Sequence, residues 1–94
     1  MSMFRITQNK GFQMTFENGC TISVQFGYRN YCDNYDNHPD GYDFSNGKTM
    51  VESSDAEIAI ILPNGEFYDF GNDLVKGYCS ADEVADYIKL AKEI

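Results

Sequence analysis

The chain has 94 residues, 15 acidic against 7 basic side chains and a formal charge of −8 at neutral pH. That length allows one domain over residues 1–94, burying roughly 60 to 65% of its unfolded surface, and the charge disfavours direct binding to nucleic acid or anionic membrane. With 43% hydrophobic residues, seven Phe and seven Tyr, the composition excludes intrinsic disorder and makes aromatic rings carry much of the core.

The opening "MSMFRITQNK" is polar and predicts no leader segment, with "FRIT" as an edge strand. In "GFQMTFENGCTISVQFG", Phe12, Met14 and Phe16 alternate with polar residues, and Cys20, Ile22, Val24 and Phe26 do so after the turn. A two-residue Asn18-Gly19 loop would mix the two faces. A three-residue loop, Glu17-Asn18-Gly19, pairs Phe16 with Cys20, Met14 with Ile22 and Phe12 with Val24, so the register predicts the longer loop with a left-handed Gly19.

Gly27 to Asp55 is longer than most connections in a compact domain, which points to function or to an element without periodicity. Asp36, Asp40 and Gly41 match three positions of a calcium loop, but Gly47 stands where a bidentate Glu is required. Cys32 and His38 are too few ligands for zinc and lack the further groups a nucleophilic site needs, so no metal, cofactor or catalytic residue is assigned. The aromatic and acidic content is more informative. Tyr28, Arg29, Tyr31, Asp33, Tyr35, Asp36, Asp40, Tyr42, Asp43 and Phe44 form the candidate binding set, because tyrosine supplies rigid amphipathic contact area. Arg29 and Lys48 flank the segment and are read either as partners of its Asp residues or as anion holders. The competing expectation is that these rings fold back over an open sheet face.

A second hairpin is predicted in "AEIAIILPNGEFYDF", with Ile58, Ile60 and Leu62 rising to Pro63-Asn64-Gly65 and Glu66, Tyr68 and Phe70 returning across from them, Phe70 opposite Ile58. Residues 58–62 are apolar on both faces, which predicts a central strand covered on both sides and leaves a homodimer open. "LVKGYC" is either a last strand or the approach to a helix. In "SADEVADYIKLAKEI", Ser80 and Glu83 form a capping box, Cys79 and Val84 a hydrophobic staple, and Val84, Tyr87, Ile88, Ala91 and Ile94 an apolar stripe. The expected fold is therefore α+β: an antiparallel sheet of four to five strands from two hairpins, with one C-terminal helix on a face. Three cysteines without paired spacing predict reduced thiols and a cytoplasmic protein.

Residues 3–32 resemble small accessory proteins encoded by bacteriophages and prophages. The likeness rests on Gly11, Phe12, Met14, Phe16, Asn18 and Gly19, then Ser23 to Gly27 and Asn30 to Cys32. It implies expression in a bacterial host cytoplasm and an accessory role, such as stoichiometric binding of a host or host-defence factor. The expectation is accordingly a non-enzymatic binding protein whose partner has a basic surface. A nucleotide- or small-ligand-sequestering protein with an aromatic pocket ranks second, and a metal-dependent hydrolase third.

Overall fold

The computed structural model describes residues 2–7, 10–36 and 52–94. Five strands, β1 (Met3–Thr7), β2 (Gly11–Thr15), β3 (Thr21–Gln25), β4 (Ala56–Ile61) and β5 (Lys76–Cys79), form one antiparallel sheet in the order β1-β2-β3-β4-β5. Helix α1 (Ala81–Glu93) follows β5 and packs over β3, β4 and β5. No helix among the described residues is long and apolar enough to cross a membrane.

The first hairpin has the expected register, with Met14 opposite Ile22 and Phe12 opposite Val24. The Phe16 amide donates to Cys20 O at 2.9 Å, and Gly19 takes φ +88°. Strict alternation then puts Ile22 and Val24 on the helix side and Thr21, Ser23 and Gln25 on the reverse side. Polar pairs knit the reverse side together: Thr15 and Thr21 hydroxyls meet at 2.7 Å, and the Thr7 hydroxyl donates to Gln25 Oε1 at 2.9 Å.

The second hairpin is shorter than the sequence suggests. Leu62 N–H donates to Glu66 O at 2.7 Å and Tyr68 N–H to Ile60 O at 2.8 Å, but pairing stops there. The Asp69 carboxylate accepts from the amides of Gly71 (2.8 Å) and Asn72 (2.7 Å), whose φ angles of 100° and 74° turn the chain away. Phe70 therefore leaves the sheet and meets Tyr87 edge to face, centroids 5.3 Å apart. Its expected place opposite Ile58 goes to Lys76, so "LVKGYC" supplies the fifth strand. Between the Ala56–Cys79 and Ile58–Lys76 pairs, Gly77 and Tyr78 oppose Glu57 alone, a bulge that holds Tyr78 at φ 56°.

Ile22, Ile58 and Ile60 are fully buried against Val84 and Ala91, each worth roughly 1.5–3 kcal/mol of burial. Ala59, on the reverse side of β4, is also buried, which accords with the two-sided apolarity of that strand. The helix is fastened at both ends. Glu83 N–H donates to Ser80 Oγ at 3.2 Å and Ser80 N–H to Glu83 Oε1 at 3.0 Å, completing the capping box. At the other end Asn18, in the first hairpin loop, donates to the carbonyls of Ala91 (2.8 Å) and Lys92 (3.2 Å), which have no partners within the helix. Its Oδ1 meanwhile accepts from Cys20 N–H at 2.9 Å. Ile94, expected in the buried stripe, is 47% exposed because it follows the last helical turn.

Asn18→Ala removes the carbonyl cap and the turn bond together. We expect a loss of about 1 to 2 kcal/mol in urea unfolding, with faster amide exchange in the last turn of α1 and little change in its first.

Candidate functional site

The chain leaving β3 closes quickly into a tight loop. The Asn30 side chain accepts from Gly27 N–H at 3.0 Å, and the Arg29 amide donates to Tyr35 O at 3.0 Å. This closure needs Arg29 at φ 67°, a left-handed conformation that L side chains disfavour. The buried Asn34 holds the loop from below, donating to Phe26 O at 2.8 Å and Glu52 O at 2.9 Å. Three further bonds tie the loop to its surroundings. Tyr31 N–H donates to Glu57 Oε2 at 2.8 Å, Asp33 N–H to Asp55 Oδ1 at 2.7 Å, and the Ser54 hydroxyl to Asp33 Oδ2.

These restraints gather four candidate side chains. Tyr31 and Tyr35 lie parallel within 5°, ring centroids 6.0 Å apart. The Arg29 guanidinium carbon sits 5.0 Å from the Tyr28 ring centroid and 5.1 Å from that of Tyr35. Hydrogen bonding to the phenols, Tyr28 first and then Tyr35, raises the already high Arg29 pKa and keeps it cationic. Arg29 is exposed and Tyr31 is 52% exposed. Tyr31 and Tyr35 therefore stack on each other, and Tyr28 and Tyr35 on the cation. Asp33 and Asp36 are exposed on the same loop, while Asp40, Tyr42, Asp43, Phe44 and Lys48 lie outside the described residues.

Two residues absent from the candidate set hold this platform in place. Tyr31 O accepts at 2.8 Å from Tyr78 N–H, the amide that the β5 bulge takes out of the ladder. Gly77 lets the loop approach, since a Cβ there would stand 2.6 Å from Tyr31 Cβ. Nothing in the sequence marks this contact beyond one Gly within a short strand.

Cys32, 1% exposed, donates its thiol to Gly27 O at 3.6 Å. Burial pushes its pKa above the ordinary thiol value, and burial does the same for Cys79. Both thiols are buried packing groups in a setting that disfavours the thiolate. Among the described residues no three His, Cys, Asp or Glu side chains converge as a metal site would require.

Segment 52–55 has two sides. One bonds the tyrosine loop; the other lines a cleft of about 500 Å³ between α1 and the sheet, with Phe12, Val24, Phe26, Val84 and Ile88 as its apolar wall. Comparison of the chain with protein-family models, curated proteins and solved structures gives no match, so the site is read from its own geometry.

Gly77→Ala forces Tyr31 off β5. The Tyr78 amide is expected to exchange at least about tenfold faster, as for a local opening, with the β2–β3 amides unchanged. The thiols give a pH signature. Their folded-state pKa values lie above the unfolded one, so this contribution is intact below the unfolded thiol value of about 8.5 and is lost as pH rises through the folded values. The urea midpoint should fall with rising alkalinity in that window, and Cys32→Ala with Cys79→Ala should flatten the fall.

Proposed function

We propose that this chain is a non-enzymatic binding protein that acts stoichiometrically on a protein with a basic surface. The reading extends to a phage-encoded modulator of a host factor in the bacterial cytoplasm. The observation that carries it is the platform of Tyr28, Arg29, Tyr31 and Tyr35, which combines the exposed Tyr31 ring, the half-buried Tyr28 and Tyr35 rings and an exposed cation with a backbone immobilised by Glu57, Asp55 and Asn34. Aromatic and Arg side chains are the residues in which interface energy concentrates, and a rigid surface loses little entropy on binding. Strain held at Arg29 in an exposed loop is also more common at recognition sites than in plain connections. The acidic groups around the rings, Asp33, Asp36, Asp55 and Glu57, together with the charge of −8, select for a basic partner.

An anionic aromatic ligand such as a nucleotide is the second reading, favoured by a guanidinium lying over two tyrosine rings. Native mass spectrometry of the purified protein separates the two readings, because a sequestering protein retains its ligand.

Tyr31→Ala with Tyr35→Ala tests the site. We expect the melting temperature to change little, and the protein captured from a bacterial lysate by the wild type to be lost. That protein should also leave the wild type as salt rises well above about 0.15 M, where exposed charge pairs are screened. Unchanged capture by the double variant would remove the platform from the interface.

A further inference from the structure

Among the described residues, the helix side of the sheet is only partly covered. Five strands span about 20 Å between their outer axes, and one helix with its side chains is about 10 to 12 Å across. Helix α1 starts beside the Ala56 end of β5, and its last carbonyls reach Asn18 in the β2–β3 loop, so it crosses the sheet on a diagonal. The described residues leave the corner formed by β1 and β2 at the other end open. There Ile6 pairs with Phe12 and Phe4 with Met14, all on the helix side. Phe4 is 77% and Ile6 84% exposed, although Phe12 and Met14 beside them are partly buried against the core. This apolar surface runs into the cleft of about 500 Å³ through Phe12, Val24, Phe26 and Ile88.

We propose that this corner is a second contact surface, and that its occupant is one basic amphipathic helix of a partner protein, lying beside α1 over β1 and β2. Three observations select that occupant. The uncovered width, roughly 8 to 10 Å between strand axes once α1 is in place, has room for one helix and not two. Exposed Phe4 and Ile6 supply a face for an apolar stripe spaced three and four residues apart. The charged residues lining the cleft are Glu52 and Asp55, which outnumber Lys10 in the β1–β2 turn beside Phe26, so flanking Lys or Arg on the incoming helix meets net opposite charge. The same charges, on a chain carrying −8, work against a second copy of this protein in that place. The inference rests on the protein-binding reading and adds the partner's chemistry and a surface separated from the tyrosine platform by segment 52–55.

The probe is a pair of synthetic amphipathic peptides of about 14 residues, four helical turns, with one Leu stripe flanked either by Lys and Arg or by Glu. Methyl NMR of the full chain should show saturable shifts at Ile6, Met14, Val24 and Ile88 with the basic peptide, which becomes helical on binding. The acidic peptide should bind at least about tenfold more weakly. Ile6→Ser changes an exposed side chain, so it should leave the melting temperature in place and weaken the basic peptide by about tenfold or more, as for one lost buried apolar contact. Glu52→Gln should weaken the basic peptide alone. The proposal is overturned by equal binding of both peptides, by Ile6→Ser without effect, or by a peptide that binds as an extended strand along β1. A free protein that sediments as a dimer with the Ile6 methyl protected would overturn it as well. Failure here leaves the tyrosine platform standing, because that site is read through Tyr31 and Tyr35 and not through these methyls.

Discussion

Among the described residues one helix of 13 residues serves a five-stranded sheet, and the rest of the structure follows from how that helix is pinned. Its N-terminus is fixed by the Ser80–Glu83 box immediately after β5, and its C-terminus by Asn18 from the loop between β2 and β3. Two attachments at opposite corners leave it no direction but the diagonal. The diagonal in turn decides which strands have a dry helix-side face: Ile22, Ile58 and Ile60 are sealed, and Phe4 and Ile6 are not. The open corner is thus a geometric product of where the caps stand and requires no unusual residue at β1.

The tyrosine loop follows from a second constraint, the bulge at the start of β4. Lengthening β5 by one residue against Glu57 takes the Tyr78 amide out of the ladder and leaves it needing an acceptor outside the sheet. Tyr31 O meets that need, and Gly77 leaves room for it. The Glu57 carboxylate, on the strand opposite the bulge, accepts from the Tyr31 amide. A backbone irregularity in the sheet is therefore what holds an exposed aromatic loop still. Fold and candidate site meet at these few bonds.

Much of this fold was legible in the sequence. Period-two alternation predicted β2 and β3 with their register, because a slip of one residue would put Ile22 and Val24 on the polar side. The capping box was legible for a similar reason: Ser80 and Glu83 satisfy each other three residues apart, with no help from tertiary structure. The return of the second hairpin was not. Its alternation through Phe70 is genuine, but the Asp69 carboxylate competes for the chain by bonding the amides of Gly71 and Asn72. The cap from Asn18 to Ala91 was hidden as well, since "NG" explains itself as a turn and its second bond spans the whole chain.

The candidate site shows the same division. That Tyr28, Arg29, Tyr31 and Tyr35 matter together could be suggested from their density, but density does not say whether rings cover a core or stack in the open. Local closure decides the question. The left-handed Arg29 brings the Tyr35 carbonyl back to its own amide, which folds the segment on itself before it can reach across the sheet. Rings on so short a closed loop reach one another first, and the guanidinium takes its place over two of them. Cys32 and Asn34, the alternate residues of the same segment, point inward and are buried instead. The loop thus has an inner side that anchors and an outer side that displays, with a two-residue period like that of the strands although it is not one.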